Sequence, residues 1–132
     1  MQITKQADYA VRAMAYLAKL EPNQRAATSD VAKAQKIPPS FLAKIISQLS
    51  ISGLIYTARG AHGGVMLSRP ASKISMLDVV EAIDGPISLN DCTLAPETCD
   101  HSEDCPMHEI WSSLQKDLVA KLSISTFDKF VR

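Results

Sequence analysis

Apolar residues recur with a helical period almost from the start of the chain. Ala7, Val11, Met14 and Ala18 follow steps of three and four, with Ala10 and Leu17 beside them, as one face of an amphipathic helix requires. Thr4 is placed to cap this helix, which is predicted to run to about Leu20, before Pro22-Asn23. Asp8 lies off the stripe, four residues before Arg12, the spacing of an ion pair on one helix face. Thr28 or Ser29 is expected to cap a short second helix, with Val31 and Ala32 facing inward and Asp30 in its first turn. Gln35-Lys36-Ile37-Pro38 reads as a turn, and Pro39 suits the first turn of a third helix. Leu42, Ile45, Ile46 and Leu49 form the inward stripe of that helix, adjoined by Phe41. Ser40, Ala43, Lys44, Ser47 and Gln48 fall largely on its other face. Helix, tight turn and amphipathic helix make a helix-turn-helix. The outward set is small, polar and basic, with no acid, which suits a helix entering a major groove.

The period then changes. Residues 54–58 and 65–68 read as two β-strands joined by Arg59-Gly60-Ala61-His62-Gly63-Gly64. The glycines permit positive φ and close backbone approach. They would hold Arg59 and His62 at the tip of a hairpin wing that reaches phosphate or minor groove. No Gly-Lys-Ser/Thr follows and no helix starts there, so a phosphate-binding nucleotide loop is excluded. After Pro70, Ser75 caps a helix around Met76–Ile83, stopped by Asp84-Gly85-Pro86. A long helix is predicted from about Pro106 to Leu122. Met107, Trp111, Leu114, Leu118 and Leu122 step along it, with Ile110 and Val119 widening the stripe. In a small DNA-binding protein such a stripe is best buried against a copy of itself, so Trp111, Leu114, Leu118 and Leu122 are expected at a homodimer interface. Ser125 and Asp128 look like a capping box for a last short helix. The fold class expected is mainly α with a small β-wing: a winged helix-turn-helix plus a long C-terminal dimerisation helix. Residues 1–73 form the DNA-binding region and 74–132 the remainder, folded with it as one compact unit.

Charge sharpens this division. The chain has 132 residues and no net charge, yet the two parts differ. Residues 1–73 carry ten Lys and Arg against three acids; residues 74–132 carry four against eleven. The basic part is the electrostatic footprint of a polyanion partner, and the acidic part is kept away from phosphates. No apolar run approaches a membrane span, and the N-terminus lacks the apolar stretch of a secretion signal. A cytoplasmic protein with no membrane partner is expected.

All three cysteines, Cys92, Cys99 and Cys105, stand close together with His108, in the spacing C-x6-C-x5-C-x2-H. Three thiols and an imidazole can converge on one metal centre. Thiolates favour zinc, copper(I) or an iron–sulfur cluster. The loops exceed the tight knuckle usual for structural zinc and fit better around a larger cluster. No paired acid and base or nucleophile–base constellation is visible, so an enzyme is not expected. The alternative is an iron–sulfur carrier or a zinc-stabilised protein-interaction module, against which the wing and the polar helix face argue.

The sequence resembles the Rrf-two family of bacterial transcription regulators, whose branches include IscR, NsrR and RirA. The resemblance spans nearly the whole chain. It rests on Ile3-Thr4 followed by Asp8-Tyr9-Ala10-Val11, on Phe41-Leu42, on Gly53-Leu54-Ile55, and on Arg59-Gly60 with Gly63-Gly64. It rests further on residues 78–85, Asp-Val-Val-Glu-Ala-Ile-Asp-Gly, and on the three cysteines. It implies a homodimer with winged helix-turn-helix heads, crossing C-terminal helices and a palindromic double-stranded operator. It also implies an iron–sulfur cluster on the cysteine loop that controls DNA binding, most simply in a repressor that responds to iron, cluster supply, nitric oxide or redox state. Thr28, Ser40, Lys44, Gln48, Arg59, Gly60, His62, Gly63 and Gly64 are the expected DNA-binding residues. Cys92, Cys99 and Cys105 are the expected cluster ligands. Cys105-x-x-His108-x-x-Trp111 is similar to the IscR arrangement, which favours His108 as fourth ligand and a [2Fe–2S] cluster. The partner subunit's Asp8 is the alternative, similar to NsrR and implying [4Fe–4S]. The chain departs from the family at Lys36 and Pro38, where glycine and serine are frequent, so the start of the recognition helix is open.

Overall fold

The computed structural model describes residues 2–95, 97, 100 and 104–131. Its first helix, α1 (Lys5–Ala18), is the post around which the rest is packed. The Thr4 hydroxyl accepts from the Ala7 N–H at 3.1 Å and donates to Asp84 at 2.6 Å, so one side chain caps α1 and ties it to a later helix. The buried face of α1 is Ala7, Ala10, Ala13, Met14 and Leu17; Val11 and Ala18 are only half-buried. The inward stripe is thus rotated from the one the apolar spacing alone predicts, because alanines at 7, 10 and 13 let neighbouring helices approach closely. The helix also ends at Ala18 rather than Leu20.

Helices α2 (Thr28–Gln35) and α3 (Pro39–Ile51) follow, both packed against α1. Neither Thr28 nor Ser29 caps α2. Ala27 holds the cap position without a side-chain bond, and both hydroxyl residues fall inside the first turn. Val31 and Ala32 face inward as expected. Lys36 ends α2 at φ 54°, a left-handed conformation that glycine adopts at less cost. Pro38 then caps α3 with Pro39 at its first position. The departures at 36 and 38 therefore leave the turn in place, with Lys36 under backbone strain. Leu42, Ile45, Ile46 and Leu49 are the buried face of α3.

Strands β1 (Ile55–Ala58) and β2 (Gly64–Leu67) form the antiparallel wing, with Ile55 opposite Leu67 and Ala58 opposite Gly64. Val65 also exchanges both backbone bonds with Ala26, at 3.0 and 2.8 Å. The wing is thereby stitched to the segment that enters α2. Close backbone approach, here and within the hairpin itself, explains two glycines. A Cβ on Gly64 would lie 2.5 Å from the Ala26 carbonyl oxygen, and one on Gly63 would lie 2.3 Å from that of Ala58.

A 3₁₀ turn (Ala71–Lys73) leads to α4 (Met76–Asp84), which opens on a reciprocal capping box between Ser75 and Asp78. The short α5 (Asp91–Leu94) and the long α6 (His108–Ile124) complete the helices, α6 starting at His108 rather than Pro106. The expected capping box at Ser125 does not form. Ser125 ends α6 and its hydroxyl donates back to the Lys121 carbonyl, while Thr126 bonds Asp128. The last 3₁₀ turn (Phe127–Phe130) returns to the centre, where Phe127 N–H donates to the Ile74 carbonyl and its ring is fully buried. A single apolar core joins α1, α2, α3, both strands, α4 and Phe127. The fold is mainly helical with a two-stranded wing and a long C-terminal helix.

Candidate nucleic-acid interface and cysteine site

The helix-turn-helix and wing present one continuous surface. Thr28, Ser40 and Lys44 are exposed, as are Arg59, Gly60 and His62 at the wing tip. Gly63 and Gly64 are half-buried and hold the wing by close backbone contact rather than standing at its tip. Gln48 is half-buried, and its side-chain oxygen is buried without a hydrogen-bond partner among the described residues. Two hollows flank α3. One lies against α2, lined by Thr28, Ser29, Lys33 and Ala43, with a volume of about 650 Å³. The other lies against the wing, lined by Ala43, Ser47, Thr57 and Arg59, at about 490 Å³. The residues lining these hollows include no acid. An approaching phosphate backbone therefore meets only neutral or positive side chains there.

At the other end, Cys92 sits on α5 and is buried, its thiol donating to the Asn90 side chain at 3.1 Å. Asn90 is itself engaged in a capping box with Thr93. Cys105 is half-buried, and its carbonyl accepts from the backbone N–H of His108 at 3.1 Å. The Nδ1 of His108 is buried and has no hydrogen-bond partner among the described residues. Helices α5 and α6 pack on each other, so Cys92 and His108 lie on adjoining elements. Cys99 lies outside the described residues. Among those that are described, no three His, Cys, Asp or Glu side chains are gathered to hold a metal ion. The donor set still fits a cluster. The fit is one of donor type: two thiols and an imidazole stand on α5, just before α6 and at its first residue, and an unsatisfied buried nitrogen such as the His108 Nδ1 is costly unless something occupies it.

Gln115 on α6 bridges to the segment before α5. It accepts from Leu89 N–H at 2.9 Å and donates to the Ile87 carbonyl. The face of α6 that carries Gln115 thus points inward, and half-buried Leu118, Val119 and Leu122 share it. No residue of α6 is fully buried. Met107, Ile110, Trp111 and Leu114 form an exposed apolar flank along the start of the helix, with Ile110 60% and Leu114 46% exposed. Of the four expected interface residues, Trp111 and Leu114 are therefore exposed, while Leu118 and Leu122 are half-buried. Met107 and Ile110 add to the exposed side.

Asp8 makes the ion pair that its spacing predicts, 3.1 Å from Arg12. The same guanidinium donates to the Gln35 carbonyl at 3.2 Å and lies over the Tyr9 ring. Arg12 therefore links Asp8 to the last residue of α2, at the turn of the helix-turn-helix. Sequence spacing gave the pair but not this second bond, which depends on how α1 crosses α2.

Among the described residues no helix is long and apolar enough to cross a membrane. Residues 3–132 match the Rrf2 family, described as iron-dependent transcriptional regulators. A protein of Mycobacterium tuberculosis named as an HTH-type transcriptional regulator is 43% identical over 88 residues, 67% of this chain and 55% of the relative. The chain thus spans about half the length of that relative. A protein of Aquifex aeolicus, also named as an HTH-type transcriptional regulator, is 34% identical over 112 residues, 83% of this chain and 77% of the relative. Two solved structures share the fold. CymR, the global cysteine regulator of B. subtilis, superposes with a TM-score of 0.82 at 23% identity, covering 98% of this chain and 96% of that one. IscR of T. potens gives 0.78 at 22% identity, covering 98% and 85%. At these identities the likeness speaks for architecture alone, but the family match spans nearly the whole sequence: the chain belongs to the Rrf2 family, whose members are transcriptional regulators rather than enzymes.

Proposed function

We propose that the chain is a cytoplasmic, homodimeric repressor that binds a palindromic double-stranded operator through α3 and the wing, under the control of an iron–sulfur cluster. Repression is the simplest mode, because occupancy of the operator alone blocks transcription. The observation that carries the cluster reading is the buried Nδ1 of His108, without a hydrogen-bond partner among the described residues, three residues after Cys105 on a helix packed against the one that bears Cys92. The family's description as iron-dependent supports it. Cys92, Cys99, Cys105 and His108 would hold the cluster, and a histidine fourth ligand goes with [2Fe–2S]. Such a cluster supplies a centre that is gained, lost or oxidised with iron supply, cluster supply, nitric oxide or redox state. Asp8, the rival fourth ligand, is already engaged by Arg12.

Two links tie this site to α6. Cys105 runs directly into α6, and Gln115 clamps α6 to the backbone at Ile87 and Leu89, just before α5. Any reordering of residues 92–108 therefore acts on the base of α6. If the exposed flank of α6 joins two copies, the base of α6 sets the separation of the two α3 helices. Half-sites one turn apart, roughly 34 Å, are read only when that separation is right. Couplings of this kind are typically about 1–3 kcal/mol. The carrier or zinc-module alternative is disfavoured by membership of a regulator family.

The test is anaerobic purification with an absorption spectrum and iron and sulfide counts, followed by operator affinity with and without the cluster. Colour and inorganic sulfide are expected in the wild type and lost in Cys92→Ala, Cys99→Ala and Cys105→Ala. The two forms are expected to differ in affinity about fivefold or more. Zinc without sulfide, or equal affinity of the two forms, would refute the sensing mechanism. Arg59→Ala is expected to weaken binding to all duplexes and lower the salt slope by about one.

A further inference from the structure

The surface that this reading turns toward DNA has an apolar floor as well as polar edges. Ala43 and Ile46 lie three residues apart on α3, and both line the hollow against α2 and the hollow against the wing. Ile46 also lines a third hollow, about 320 Å³, between the start of α2 and the wing tip. The three hollows therefore meet over one small apolar surface. Around it stand Thr28, Lys33, Ser47 and Arg59. The lining of all three includes no acid.

The long polar side chain expected to read bases from this helix is poorly placed for that work. Gln48 is half-buried, with its carbonyl oxygen out of reach of solvent. Ser40 and Lys44 remain exposed, but neither belongs to the floor. An apolar surface framed by hydroxyls and cations needs a polyanion that carries an apolar group. In a major groove, base edges present donors, acceptors and a single apolar group, the C5-methyl of thymine. Sugars and phosphates have no equivalent there.

We infer that Ala43 and Ile46 form the receptor for a thymine methyl group, so that a thymine facing them is a determinant of the sequence the protein selects. The inference rests on the proposed docking of α3 in the major groove and adds what α3 reads there. Selectivity arises because cytosine lacks the methyl group and purines place polar atoms against the same floor.

The experiment uses the full-length protein and the duplex it enriches from a random-sequence pool. Each thymine of that duplex is replaced in turn by deoxyuridine, which removes one methyl group and leaves the pairing unchanged. At one position per half-site the wild type is expected to lose about fourfold in affinity, the effect of withdrawing one buried methyl group. In Ala43→Gly the ratio between thymine and uracil duplexes at that position is expected to fall, because the Ala43 side of the contact is gone and Ile46 alone remains. Circular dichroism and binding to nonspecific duplex report whether the variant keeps its fold. No thymine sensitive to uracil replacement, or a sensitivity that persists unchanged in Ala43→Gly, overturns the inference while specific DNA binding stands. Failure to enrich any duplex overturns the docking of α3 itself, and the inference with it.

Discussion

Helices α3 and α6 carry the same kind of sequence signal and meet different fates. Each repeats apolar residues at steps of three and four. In α3, Leu42, Ile45, Ile46 and Leu49 are all buried. In α6, a longer helix, no residue is fully buried, and Met107, Ile110, Trp111 and Leu114 are exposed. Periodicity reveals that a face seeks burial but not which surface will cover it. For α3 the cover is α1, α2, α4 and β1, within the same chain. For α6 the Gln115 side is engaged, and among the described residues the flank beside it is left exposed and apolar. Among the described residues one region is covered by its own chain, while the other keeps an exposed apolar flank.

The strongest way to break that contrast is to remove a large side chain from each region. Phe127 is 0% exposed at the centre of the core, so Phe127→Ala is expected to cost about 3–5 kcal/mol. Leu114→Ala, measured at dilutions that keep the chain monomeric, is expected to cost less than about 0.5 kcal/mol. Urea unfolding of both variants gives the comparison directly. Similar losses in the two would mean that α6 is as complete as the body.

Leu114→Asp addresses what covers α6. The exposed position tolerates a carboxylate in the free chain, but an apolar seam does not. The dissociation constant of the dimer is expected to rise at least tenfold, with unchanged circular dichroism. Sedimentation at several concentrations reads the result. A variant that remains as dimeric as the wild type would move the seam away from this flank.

The contrast also explains how much was legible in the sequence. The helix-turn-helix, the wing and the order of the longer helices follow from local spacing, turn residues and caps, so they could be read directly; the short α5 lies in a stretch read as a loop. The inward face of α1 was read correctly at Ala7, Ala10, Met14 and Leu17, but Ala13 was missed in favour of Val11 and Ala18, because alanine marks close helix packing without a strong hydrophobic signal. Phe127 was overlooked because a lone aromatic after a helix has no periodicity; only its backbone pairing with Ile74 brings it inside. The candidate site divides the same way. Cys92, Cys105 and His108 stood out by residue type and spacing. The second bond of Arg12 to Gln35 and the clamp made by Gln115 are long-range contacts that no local pattern announces.

A finished body need not be a relaxed one, and Lys36 shows where strain remains. Its φ of 54° closes α2 in a conformation that a side chain disfavours by about 1–2 kcal/mol. Glycine would relieve that cost and lose part of the gain to greater freedom in the unfolded chain. Lys36→Gly is therefore expected to stabilise the protein by about 0.5–1 kcal/mol. Thermal unfolding checks the sign, which is opposite to that of the core truncation. A destabilised variant would show that the lysine side chain makes compensating contacts.

The smallest effect on stability is expected at Asp8, and it bears most directly on whether the two regions are separate. Its carboxylate and the Arg12 guanidinium are substantially exposed, 3.1 Å apart. An exposed pair of this spacing contributes about 0.3–0.5 kcal/mol. Asp8→Ala is expected to cost no more than that, because Arg12 keeps its bond to the Gln35 carbonyl and its place over Tyr9. Arg12→Ala is expected to cost more, since it removes both contacts within α1 and the bond to Gln35 at the turn into α3. The same Asp8→Ala protein tests the cluster site. With His108 as fourth ligand, its absorption spectrum and cluster lifetime match the wild type, while His108→Ala shifts the spectrum or sheds the cluster. The reverse pattern would assign the fourth ligand to the partner subunit's Asp8. The body of one chain would then complete the site on the other, and helix α1, sealed within its own core on one face, would be a functional part of the region that the chain leaves unfinished.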